Sequence, residues 1–106
     1  MDEKSFDKLA GAELQLLDTA LGLLGELEVD STGDVLTVEF DDGARFVINA
    51  HRAARQIWVS AEMSASHYAW DEKLARWFDT KTGEELWDRV GGGVSRQLGR
   101  TVKLRA

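Results

Sequence analysis

Phe6, Leu9, Ala10, Leu16, Leu17, Ala20, Leu21 and Leu24 recur at steps of three and four, the period of a helix with one apolar stripe turned to a core. Ser5 is the expected N-cap, with Asp7 in the favourable first turn, and the pattern fades from Gly22 to Gly25. From Leu27 the period drops to two. Leu27 and Val29 alternate with Glu28 and Asp30, and Leu36, Val38 and Phe40 alternate with Thr37 and Glu39, as in half-buried antiparallel strands. Thr32-Gly33-Asp34 supplies the turn between them. Asp42-Gly43, lying between two alternating runs, predicts a type I′ hairpin turn, which needs positive φ at both central positions. Further short strands follow at 45–49, 56–61, 67–70 and around Trp77-Phe78, so that about six are expected.

Thr82 with Glu85 fits a capping box, and Leu86, Val90, Val94 and Leu98 then return to helical spacing, predicting a second helix over 84–98. Gly91-Gly92-Gly93 sits inside it, where three glycines cost roughly 3 kcal/mol relative to alanines. The helix is expected either to bend there, with an irregularity near Gly92, or to press its backbone against a neighbour. Thr101 to Arg105 reads as a short extended tail. Helix, strand meander, helix is an α+β order, with two helices covering one face of an antiparallel sheet and the other face open to water. A single domain over residues 1–106 is expected.

The chain has 106 residues, neither cysteine nor proline, and a formal net charge of −6. Without cysteine there is no thiolate zinc site, disulfide framework, nucleophilic thiol or cysteine-held iron–sulfur cluster. No long apolar run and no basic-then-apolar leader is seen, which predicts a cytoplasmic protein without membrane contact. The charge is unevenly spread: residues 1–42 hold 12 acids and 2 bases, and residues 43–106 hold 7 acids and 11 bases. An acidic first part argues against a nucleic-acid partner and favours cations or a basic protein surface.

No phosphate loop, nucleophile elbow, H-E-x-x-H or EF-hand spacing is present. His51 and His67 lie in separate segments and read most simply as surface residues. Asp41-Asp42 reads as hairpin chemistry rather than a metal site. Asp18, Glu26, Glu28 and Asp30 form the stronger constellation, with Glu28 and Asp30 on one strand face and no base near them in sequence. Like charges side by side, just past a helix C-terminus, break two local rules together, which points to function. Hard carboxylate oxygens suit Fe²⁺, Fe³⁺, Mn²⁺, Mg²⁺ or Ca²⁺, held weakly and partly by water, and equally suit a basic protein surface. Ile57, Val59 and Ala61 make one apolar strand face, which places Gln56, Trp58 and Ser60 on the other and predicts an exposed Trp58, a docking hot spot beside Asn49. A one-residue register slip would instead bury it.

Asn49, then Gln56-Ile57-Trp58, with Tyr68, Trp70 and Trp77 downstream, resembles the frataxin family, in particular bacterial frataxins of the CyaY type. The resemblance spans nearly the whole chain, including Val35 to Phe40, Asp42-Gly43 and Leu86-Trp87. It implies an α-β-α sandwich with an acidic ridge that binds iron (Fe²⁺/Fe³⁺) weakly, docking on the cysteine desulfurase and scaffold protein of iron–sulfur cluster assembly. Carried over, the ridge falls on Asp18, Glu26, Glu28 and Asp30, and the sheet-surface docking role on Asn49, Gln56 and Trp58, with Glu28 and Asp30 also facing the partner. Gly22, Leu23 and Gly25 stand where the family often carries further acids, so the ridge is thinner. His67 stands where mitochondrial relatives tend to carry a basic residue. The implied protein is a monomeric iron chaperone and regulator rather than an enzyme. The alternatives are a ferroxidase or iron-storage unit, and a metal-independent acidic adaptor.

Overall fold

The computed structural model describes residues 1–105. The first helix, α1 (Glu3–Gly22), buries Phe6, Ala10, Leu14, Leu17 and Leu21, the stripe expected from their spacing. It begins earlier than Ser5: Asp2 is the N-cap, and its Oδ1 accepts a hydrogen bond of 2.7 Å from the Ser5 amide. Ser5 thus lies inside the first turn, and the residue expected to cap is the one capped.

Six strands follow: β1 (Leu27–Thr32), β2 (Val35–Phe40), β3 (Arg45–His51), β4 (Gln56–Ala61), β5 (Ser64–Asp71) and β6 (Arg76–Asp79). They form one antiparallel meander in sequence order. Leu36, Val38, Phe46, Ile48, Ile57, Val59, Tyr68 and Trp77 turn to the helix side and are essentially inaccessible. α1 packs over β1 to β3, and the second helix, α2 (Leu86–Leu98), beside β6. Phe6 meets Trp77 edge-on, with ring centroids 5.9 Å apart, and so ties the first helix to the last strand. No helix among the described residues is long and apolar enough to cross a membrane.

The turn at Asp42-Gly43 is not of the type expected of it, and that type occurs at another turn. At Asp41-Asp42-Gly43 only Gly43 has positive φ (89°), and Phe40 both accepts from the Gly43 amide (2.9 Å) and donates to the Ala44 carbonyl (2.9 Å). This is a three-residue loop, a type I turn closed by a glycine in a left-handed bulge, not type I′. Asp42 contributes by accepting from the Ala44 amide at 2.9 Å. Positive φ at both central positions occurs instead at Glu62 (53°) and Met63 (64°), between paired Ala61 and Ser64, with no glycine to relieve it.

The second helix also starts later than expected. Glu85, not Thr82, is the N-cap, and its Oε2 accepts from the Trp87 amide at 3.0 Å. Thr82 Oγ1 serves the preceding loop, accepting from the Glu84 amide at 3.1 Å. Despite three glycines α2 runs unbroken to its C-cap Gly99, so the expected irregularity near Gly92 is absent. Close approach is the reason for at least one glycine: a Cβ on Gly93 would lie 3.0 and 3.2 Å from two atoms of the Phe46 ring.

Candidate functional site: the uncovered sheet face

The strand residues between the core positions point away from both helices. Asn49 on β3 lies directly opposite Trp58 on β4, which lies opposite His67 on β5, while His51 lies opposite Gln56. The three docking residues expected from sequence are therefore neighbours on one uncovered surface, and the slipped register is excluded by Ile57 and Val59 at 0% and 2% exposure.

Trp58 is half-buried rather than exposed. Its indole is sandwiched between two imidazoles, His51 at 3.8 Å between centroids and 10° between planes, and His67 at 4.2 Å and 12°. The indole Nε1–H donates to Gln56 Oε1 at 2.9 Å. Strand alternation explains the arrangement: His67 is the cross-strand neighbour of Trp58, and His51 is its diagonal neighbour on the other side, within reach of large rings. Read one segment at a time, the histidines looked unrelated; only the three-strand register brings them together.

The four acids are placed differently from one another. Glu28 and Asp30 are exposed on the uncovered side of the edge strand β1. Glu28 lies opposite Glu39, a carboxylate that sequence reading passed over and that the β1–β2 register would have revealed. Arg45 donates to Glu39 at 2.7 Å and offsets part of this repulsion. Glu28, Asp30, Thr37, Glu39 and Arg45 line one open depression. Glu26 precedes β1 and is ion-paired with Arg100, which comes from beyond α2. Asp18 is half-buried on α1, over the opposite side of the sheet. Among the described residues no three His, Asp or Glu side chains converge as a ready ligand set. A cation at β1 would be held by one or two carboxylates and completed by water.

Two charged clusters lie away from this face. Glu62, in the strained β4–β5 turn, receives Arg89 at 2.7 Å and both Nε and Nη2 of Arg96 at 2.7 Å, and these hydrogen bonds hold its carboxyl down to about 2. Glu13 on α1 is 7% exposed; burial raises its pKa, opposed by Arg105, whose guanidinium is 3.5 Å away. The Trp87 indole N–H also favours the Glu13 charge, from a position short of hydrogen-bond geometry. Arg105 further reaches Glu85 at 3.8 Å and stacks over Trp87 at 4.4 Å.

One antiparallel sheet, covered by two helices on one side and carrying a polar-aromatic surface and an acidic edge on the other, defines an α+β sandwich of the α-β-α type. The family model for the frataxin-like domain matches residues 1–100. The chain belongs to the frataxin family. It is 35% identical over 107 residues to the iron-sulfur cluster assembly protein CyaY of Dechloromonas aromatica, covering 99% of this chain and 100% of that one. It is 36% identical over 81 residues to the protein of the same name from Thioalkalivibrio sulfidiphilus, covering 76% of each. The solved frataxin of Psychromonas ingrahamii superposes with a TM-score of 0.91 over all of both chains at 23% identity, which bears out the α+β sandwich fold.

Proposed function

We propose that this chain serves iron–sulfur cluster assembly as a cytoplasmic, non-enzymatic accessory protein. It binds iron weakly through Asp18, Glu26, Glu28 and Asp30 and docks on the cysteine desulfurase and its scaffold protein. The observation that carries the docking part is the gathering of Asn49, Gln56 and Trp58 on the one sheet face that no helix covers. Flat surfaces with a central aromatic and hydrogen-bonding neighbours are where binding energy concentrates. Glu28 and Asp30 extend that surface with negative charge and would steer a basic partner patch.

The separated placement of the acids supports weak, water-completed iron binding rather than a paired-iron oxidation site, and so favours a chaperone or regulator over a ferroxidase. The test is calorimetry of desulfurase binding with Glu28→Lys/Asp30→Lys. Affinity is expected to fall about tenfold or more at low salt, with the gap to the parent narrowing as salt rises. Equal affinities at low salt would reject the electrostatic docking. A parallel Fe²⁺ titration followed by NMR should move the amides of Glu26, Glu28 and Asp30, and unmoved signals would reject their iron role.

A further inference from the structure

An acid stands within the apolar stripe of the first helix. Phe6, Ala10, Leu14, Leu17 and Leu21 fill the buried face of α1, and Glu13 lies among them at 7% exposure. Glu85, the N-cap of α2, is a second carboxylate buried as deeply. Acids are almost never so buried unless they are paired. One guanidinium answers both: Arg105 Nη2 lies 3.5 Å from Glu13 Oε2, and Nη1 lies 3.8 Å from Glu85 Oε2. Its central carbon sits over the Trp87 ring, 4.4 Å from the centroid. Two carboxylates at the terminal nitrogens and an indole on the face suit the planar fork of a guanidinium, not the point charge of an ammonium.

This occupant does not saturate the site. Two buried carboxylates share one guanidinium, and both contacts are longer than the roughly 2.7–2.9 Å of a strong charge-assisted pair. The buried Trp87 indole N–H has no hydrogen-bond partner. Arg105 keeps 30% of its side chain exposed. The segment that carries it is pinned at Val102, whose N–H donates to Ser95 Oγ at 2.8 Å, while residues 103–105 lie outside any helix or strand. Arg105 can therefore leave without disturbing that anchor.

We propose that Glu13, Glu85 and Trp87 form a guanidinium-binding site between α1 and the start of α2, held in cis by Arg105, and that an arginine of a peptide segment supplied in trans takes its place. The site lies on the helix-covered side of the sheet and is independent of the docking role proposed for Asn49, Gln56 and Trp58. Arg105, tethered three residues from its anchor, competes at an effective concentration in the millimolar range. A single arginine in trans displaces it only at such concentrations, and a tighter partner must add contacts of its own.

The experiment compares the parent with Arg105→Ala and Arg105→Lys by NMR, using acetyl-Leu-Arg-amide as probe and acetyl-Leu-Lys-amide as control at matched ionic strength. In both variants the probe is expected to move the Trp87 indole N–H and the Glu13 amide saturably toward their parent positions, binding about fivefold or more tightly than the control. Should Arg105→Ala fail to fold, Arg105→Lys keeps the charge and carries the comparison. In parent protein labelled with ¹⁵N-arginine, unlabelled probe should drive the Arg105 Nε–H signal to the position of an exposed arginine at millimolar concentration. Equal affinities for probe and control overturn guanidinium recognition. An Arg105 signal that stays in place overturns exchange in trans. Adding Glu13→Gln to Arg105→Lys should weaken probe binding about fivefold or more. Undiminished binding there would place the probe elsewhere and overturn the site.

Discussion

On the covered side of the sheet Leu36, Ile48, Ile57 and Trp77 have lost all contact with water, whereas one residue further along the same strands Thr37, Asn49, Trp58 and Phe78 keep part of theirs. Each face carries a large aromatic, Trp77 on the edge strand β6 and Trp58 on the inner strand β4, yet the two are held differently. Trp77 is enclosed by Phe6 and Trp70 and is a load on the core. Trp58 is stacked between two imidazoles and hydrogen-bonded to one amide, with Asn49 across the strand pair. Burial on one side fixes the register of every strand, and that register then positions, at no further cost in packing, whatever the open side presents.

If this contrast holds, removing the two tryptophans should have opposite consequences. Trp77→Ala is expected to cost about 3–5 kcal/mol of stability, through lost burial and the cavity left behind, in denaturant melts. Trp58→Ala should cost about 1–2 kcal/mol, since it forfeits stacking and one hydrogen bond at a half-buried position and leaves no closed cavity, while losing most of the binding to the assembly complex. Comparable stability losses in the two variants would erase the distinction between the faces.

A smaller effect is expected at the end of the chain, where Arg105 stands between buried Glu13 and Glu85. Because burial raises the Glu13 pKa, the folded state favours its protonated form. Stability from that proton is fully present below the ordinary carboxylate value and is lost as pH rises through the raised folded value. Arg105 moderates the loss by favouring the charge. Arg105→Ala should therefore cost about 2 kcal/mol at pH 7 and distinctly less at pH 4, in paired thermal melts. A cost that is the same at both pH values would show that Arg105 acts through its packing on Trp87 alone.

The alternation of Leu36, Val38, Phe46, Ile48, Ile57 and Val59 was enough to read the sheet, both its faces and the side on which Trp58 lies, because burial leaves a period in the sequence. The helix stripe of Phe6 to Leu21 was legible for the same reason. Caps and turns were not. Asp2 and Ser5 can both cap, and Asp42-Gly43 suits two loop lengths; the choice between them is made by the strand register. The histidine stack was invisible for a further reason: His51, Trp58 and His67 belong to three strands, and no single strand's pattern records which residues stand opposite which.

The Glu62-Met63 turn offers the smallest test, and one in which strain and charge can be separated. Both residues hold positive φ without being glycine, a conformation that costs roughly 1–2 kcal/mol per residue. Arg89 and Arg96 reach from α2 to the Glu62 carboxylate, which anchors the turn from outside the sheet. Met63→Gly should raise stability by about 1 kcal/mol, because it removes strain and touches no ion pair. Glu62→Gln should lower it by about 1 kcal/mol, the solvent-screened worth of partly exposed pairs. The pH dependence follows from the carboxyl being held down to about 2. A depressed pKa gives stability that is complete above the ordinary carboxylate value of 4.5 and fades as pH falls through the folded one. The difference between parent and Glu62→Gln should accordingly be constant above about pH 5.5 and shrink steadily below about 4.5. A difference that persists unchanged into that acidic range would mean that the arginines hold the turn by packing, and that ionisation of Glu62 contributes nothing.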